Sequence, residues 1–303
     1  MSLEALRKTN PDLLTPGMVK ATLGNLGLSS ADKLAQAESL GSDANALAPA
    51  PVPGSVSLDM IPGSETRQSF EHFLSSTERL FARIGITPPD VDTIVNSGID
   101  FVYLGHEYQH MKIQGLEPRL VLAPYDLTVD HWKELYKKLE DDPIVNPIPA
   151  SGKEEDKRIR DGGLYIKPEI TNNWIELGMQ IPDATPTIEA PISNASHPTN
   201  LWTLRLISAT DTPQNLGVSH DQYIRAGEKY TTIPEYLSLQ ASLLQDYQPP
   251  IDQRTWSWLD GTYNDELRNA AIGLWAHKNG KVGINMMDVS YRSNYLGVHT
   301  AVS

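Results

Sequence analysis

Two helix starts follow one another closely, and strand patterns flank them on both sides. Ser219-His-Asp-Gln222 and Thr232-Ile-Pro-Glu235 each place a hydroxyl where a helix begins and a Gln or Glu three residues later. Such a capping box pairs two backbone N–H groups that a helix start otherwise leaves without partners. Pro234 adds a first-turn proline to the second start. Residues 163–166, 174–181 and 201–209 precede the pair and read as strands, the last through its L-W-T-L-R-L-I alternation. Strand patterns return at Thr255 and continue to the C-terminus. Strands, two capped helices, then strands predict an α+β domain.

Upstream the pattern is helical. Phe70, Phe73, Leu74, Leu80, Phe81 and Ile84 fall at helical spacing, which predicts a helix over about 65–84, stopped by Gly85. A shorter helix starts at Thr87-Pro88 and ends at Gly98. Asp100 caps a third, reaching about Gln114, and Thr128 caps a fourth, reaching about Leu139. Arg119 to Pro124 reads as a short strand or extended segment. Residues 1–40 read as short helices, and 41–63 are rich in Ala, Pro, Gly and Ser, as linkers are. A second boundary falls in the proline-rich and charged stretch 141–161. The expected organisation is therefore 1–63 as short helices and linker, 64–150 as a mostly helical module, and 151–303 as the α+β domain.

The C-terminal 49 residues hold six of the chain's 22 aromatic residues, together with four basic and four acidic side chains. The whole chain of 303 residues carries a formal charge of −13, so this tail escapes the general acidity. Trp256, Trp258, Leu259, Val282, Ile284, Leu296, Val298 and Val302 read as scaffold. Tyr263, Asn264, Asp265, His277, Asn285, Asp288, Tyr291, Ser293, Asn294 and Tyr295 read as display. Tyr supplies rigid contact area, and Ser and Asn supply adaptable hydrogen bonds, so these ten are the candidate ligand-binding residues. A neutral, aromatic-rich surface suits a protein ligand better than a charged one.

The tail also carries a resemblance. W-S-W-L-D-G, a single Arg268, Trp275 followed by G-K-V, and a closing L-G-V-x-x-A-V resemble the end of a C-type-lectin-fold domain. More narrowly they resemble the variable proteins of diversity-generating retroelements, over about residues 232–303 and more loosely back to about Gly162. The resemblance implies a non-enzymatic receptor of viral or prokaryotic origin without a cofactor. Its variable region, about 255–303, would be rewritten by the retroelement. The family usually carries Arg where this chain has His299. The same fold overlaps with formylglycine-generating enzymes, which rely on cysteine, and this chain has no cysteine. The carboxylate and amide motifs of calcium-dependent lectins are also missing.

A second motif points to a different class. His106-Glu107-Tyr108-Gln109-His110 is an H-E-x-x-H match on an expected helix. There His106 and His110 share a face that can hold Zn²⁺, with Glu107 as general base of a hydrolase. No third His follows at the longer spacing of that motif, so a carboxylate such as Glu134 would have to complete the set. A third class is a virion or assembly protein with no small ligand.

Charge excludes more than it selects. An excess of 38 acidic over 25 basic residues argues against nucleic acid and against anionic membranes. No apolar run reaches membrane-spanning length, and Met1-Ser2-Leu3-Glu4 does not open a signal peptide. The expected location is cytoplasmic, or on a virion or surface reached by another route. Neither the ligand nor the oligomeric state is legible.

Overall fold

The computed structural model describes residues 67–182, 185–190, 201–227, 229–263 and 268–303, all within one compact unit, Val56–Ser303. The expected short helices and linker of residues 1–63 lie outside the described residues. The fold is mixed α+β, with helices dominating the first part and two sheets the rest.

The first part follows its caps. Helices α1 (Arg67–Ala82), α2 (Val91–Val95), α3 (Phe101–Ile113) and α4 (Val129–Asp141) appear in the expected order. The Asp90, Asp100 and Thr128 side chains each accept a hydrogen bond from the backbone N–H three residues on. Gly85 and Gly98 take positive φ just beyond α1 and α2, a conformation open to glycine at little cost.

Strand β1 (Pro118–Pro124) changes the expected organisation. It pairs over its whole length with β4 (Leu201–Ser208) in an antiparallel ladder. The other edge of β4 holds β3 (Ile188–Glu189) at one end and β9 (Ala301–Val302) at the other. The boundary expected near residue 150 therefore separates no two bodies, because a strand from the helical half is built into a sheet of the C-terminal half. Backbone pairing across that distance gives no local sequence signal.

The second sheet runs in the order β2, β7, β6, β5, β8. Its strands are β2 (Leu164–Ile166), β5 (Trp256–Tyr263), β6 (Asn269–Ala276), β7 (Lys281–Asp288) and β8 (Leu296–Val298). Between β2 and β3 lie α5 (Pro168–Asn172) and α6 (Trp174–Leu177), so the strand expected over 174–181 is absent and its first half is helical. Trp174 and Leu177 are buried while Ile175 is 72% exposed. Burial at i and i+3 is helical spacing, and a strand would have alternated.

The two capped helices are α7 (His220–Ala226) and α8 (Ile233–Gln245). Gly227 turns left-handed with φ 66° and ends the first. Every residue of α8 except Ser242 is buried. It packs on α1, α4 and β1 on one side, and on β5, β6 and β7 on the other. Gly273 of β6 has Tyr236 of α8 against it so closely that a Cβ would stand 2.6 Å from the ring.

A helix buried all round must satisfy its polar side chains internally. Glu235 forms a fully buried ion pair with Arg205 of β4, Nη1 to Oε2 2.9 Å. Tyr125, Thr203 and the Thr232 backbone also donate to its carboxylate. Arg205 Nη2 donates to the Ala301 carbonyl at 3.0 Å, tying in the last strand. Removing one partner leaves an uncompensated buried charge. Arg205→Ala should therefore cost about 3–5 kcal/mol in chemical denaturation, and a cost below about 1 kcal/mol would contradict this account of the core.

Candidate functional site

The second sheet has a core on each face. Leu259, Ala271, Trp275, Val282 and Ile284 face α8 and belong to the main core. Trp258, Ala270, Ile272, Val289, Leu296 and Val298 form a second cluster on the other face, closed by Tyr223 and Tyr230. The candidate surface lies over this second cluster.

Residues 288–296 connect β7 to β8 and carry most of the surface. The connection leaves β7 where Asp288 pairs with Asn269, and enters β8 where Leu296 pairs with Trp256. Val289 and Leu296 anchor its two ends in the second cluster. Local hydrogen bonds shape the span between them. Ser290 N donates to Asp288 Oδ1 at 2.8 Å, and Tyr291 N to the Asp288 carbonyl at 2.9 Å. Tyr295 N donates to Ser293 Oγ at 3.2 Å, and Leu296 N to the Ser293 carbonyl at 3.0 Å. Ser290's hydroxyl bond holds the Asp288 carboxyl below the usual carboxylate range. Tyr291, Asn294 and Tyr295 are exposed, Tyr295 to 65%.

The ten candidate residues do not all meet. Asp288, Tyr291, Ser293, Asn294 and Tyr295 share this connection. Asn285 is half-buried on the same side of the sheet, because it pairs with Ile272, which pairs with Trp258. Tyr263 pairs with Asn269 at the end of β5, beside Asp288. Asn264 and Asp265 lie outside the described residues. His277 stands apart. It sits in the turn between β6 and β7, just beyond the Ala276–Lys281 pair, which is seven ladder positions from Asn269–Asp288, or about 23 Å at the rise of a strand. Polar composition marked His277 as display, but a turn at either end of a hairpin has that composition.

Several neighbours were not marked by the sequence. Arg268, with φ 48°, donates from Nη2 to Asp221 Oδ1 at 2.9 Å and is 60% exposed. The Asp221 backbone N–H donates to the Val289 carbonyl. Leu216, also exposed, lies over Gly297, where a Cβ would stand 2.3 Å from the Gln214 carbonyl and 3.1 Å from Leu216. Glycine at 297 is thus needed for the loop carrying Leu216 to sit against β8. Only pairing across the sheet shows these contacts; no periodicity carries them.

His299, the departure from the resembled pattern, is fully buried with Nε2 3.2 Å from Asp252 Oδ1. Tyr236, Thr255 and Ser257 hydroxyls donate to the same carboxylate. It is therefore a core residue beneath the sheet and no part of the exposed surface.

The H-E-x-x-H residues lie on α3, as expected. His106 is exposed. His110 Nδ1 is 3.6 Å from Glu107 Oε2, and its Nε2 is 3.1 Å from Gln114 Nε2. Among the described residues no three His, Cys, Asp or Glu side chains are placed to share a metal ion; Glu134 does not complete the set. An open cavity of about 460 Å³ lies elsewhere, lined by Val145, Pro147, Arg158, Tyr247 and Pro249 among others, and shares no residue with the candidate surface. No helix among the described residues is long and apolar enough to cross a membrane.

Comparison with family models, curated proteins and solved structures finds no match.

Scaffold and surface should respond differently to substitution. Trp258 is fully buried, with Nε1 donating to the Val218 carbonyl at 3.1 Å. Trp258→Ala should cost about 3–5 kcal/mol, whereas Tyr295→Ser should stay within about 0.5 kcal/mol. Denaturant titration of both variants checks the contrast, which equal losses would contradict.

Proposed function

We propose that this chain is a receptor-like ligand-binding protein that presents a changeable surface on a C-type-lectin-like scaffold, with other proteins as its ligands. One observation carries the reading. The exposed side chains of Ser290, Tyr291, Arg292, Asn294 and Tyr295, with Ser293 half-buried among them, sit on a connection whose ends are pinned by Val289 and Leu296, both buried in the second core. Backbone atoms tie the same connection to its neighbours: Tyr295 O accepts from Trp256 N, and Val289 O accepts from Asp221 N. Side chains between the anchors are therefore open to change while the frame stays put. The order of strands, two helices and strands over residues 201–303 supports the scaffold half of the proposal. Exposed Tyr291, Tyr295 and Leu216 beside Ser293 and Asn294 support a protein ligand, since aromatic anchors with adaptable polar neighbours recur in protein-binding loops.

A library randomised at Tyr291, Ser293, Asn294 and Tyr295 and panned against unrelated folded proteins should yield binders. Their affinity should vanish when the selected residues are reverted. A matched library at His277, Lys278 and Asn279, in the turn at the far end of the hairpin, should yield fewer. Equal success at both ends, or none at the first, would contradict the proposal.

A further inference from the structure

His220 opens α7 and is fully buried. Its Nε2 lies 2.7 Å from the Tyr230 hydroxyl. Its ring meets Tyr230 and Trp258 edge-on, with centroids 5.7 and 5.4 Å away. Nδ1 has no hydrogen-bond partner among the described residues. Within α7 the buried residues are His220 and Tyr223, whereas Gln222, Ile224, Arg225 and Ala226 are exposed. Two side chains thus hold this helix on the sheet. Asp221, the next residue, links the helix to the candidate surface through the Val289 carbonyl and Arg268.

We propose that His220 is a proton-operated latch: acid lifts α7 from the sheet, frees Arg268 and Val289 from Asp221, and slackens the recognition surface so that ligand is released. The ligand half rests on the reading of that surface as a binding site.

The surroundings of the imidazole favour its neutral form. Asp221 and Tyr223 stand on its own helix, Tyr230 on the connection to α8, Asp260 on β5 and Arg268 just before β6. Burial pulls the imidazole down to about 4, outweighing the opposite pulls of Asp221 and of a hydrogen bond to the Leu259 backbone, and Arg268 adds to the lowering. Once α7 leaves the sheet, the imidazole returns toward its ordinary value of about 6.5. The open form therefore binds the proton more tightly than the closed form. Opening is favoured as pH falls from about 6.5 toward 4 and is indifferent to pH above that window.

Hydrogen exchange over residues 219–227 of the full chain, at pH 7.5 and 5.0 with intrinsic rates corrected, tests the latch without any ligand. The wild-type protein should lose protection on the order of tenfold at the lower pH. His220→Gln, which has no imidazole to protonate, should lose none. His220→Phe, which keeps the aromatic packing, carries the same expectation and serves if the Gln variant does not fold. No loss in the wild-type protein, or an equal loss in a folded variant, overturns the latch. Since no ligand takes part, this outcome is separate from the binding selection: a flat exchange profile removes the latch alone, and an empty selection removes the receptor reading and the ligand half of the proposal, leaving the proton-operated opening of α7.

Discussion

The Arg205–Glu235 ion pair is the contact on which the rest of the structure depends. Both side chains are fully buried, so their charges would be costly without partners. The partners come from separate places in the chain. Tyr125 follows β1, Thr203 lies beside Arg205 on β4, Thr232 caps α8, and Ala301 belongs to the last strand. The network can be complete only when β1, β4, α8 and β9 are in place together. Glu235 has a second duty, as the side chain that closes the capping box of α8. One carboxylate thus sets both where the helix begins and which sheet it lies against.

From that fixed helix the second sheet inherits its position. Tyr236, one residue on, packs on Gly273 and donates to Asp252. Asp252 gathers the Thr255 and Ser257 hydroxyls and lies beside His299. The residues that start β5 and those that join β8 to β9 are therefore held by a single carboxylate. The far face of the sheet is left to a smaller core of Trp258, Ile272, Leu296, Val298 and their neighbours, with α7 and the 288–296 connection over it. A rigid side toward α8 and a lightly covered side toward solvent arise from the same arrangement. Recognition surfaces are commonly carried on loops positioned by such a scaffold.

Elements whose signal is local were legible in the sequence. The caps at Asp100, Thr128 and Thr232 lie where hydroxyl and carboxylate side chains were read as helix starts. The reach of α4 and the strand over 201–208 followed from spacing, as did the return of strands after Thr255. Residues 174–181 misled because W-I-E-L-G-M-Q-I fits alternation as well as a short helical turn; exposed Ile175 resolves it. The place of β1 was illegible, since its partner lies about eighty residues downstream. Of the candidate surface, the cluster over 288–295 was legible as composition. The remoteness of His277 and the Asp221–Arg268 link were not, because both follow from the pairing of β6 with β7 and the docking of α7. His299 shows the limit of reading by position in a motif: it departs from the resembled pattern, yet it is fully buried, as are Val298 and Ala301 near it.

The central claim is that the frame of residues 201–303 stands independently of the side chains it displays. Replacing residues 290–295 wholesale by an unrelated polar hexapeptide, with Val289 and Leu296 kept, puts that claim to a calorimetric test. The account predicts a single cooperative transition with a midpoint within about 3 °C of the wild-type protein, since exposed positions carry little stability. A broadened transition, or a midpoint lower by about 10 °C or more, would show that the displayed residues are part of the frame, and would contradict it.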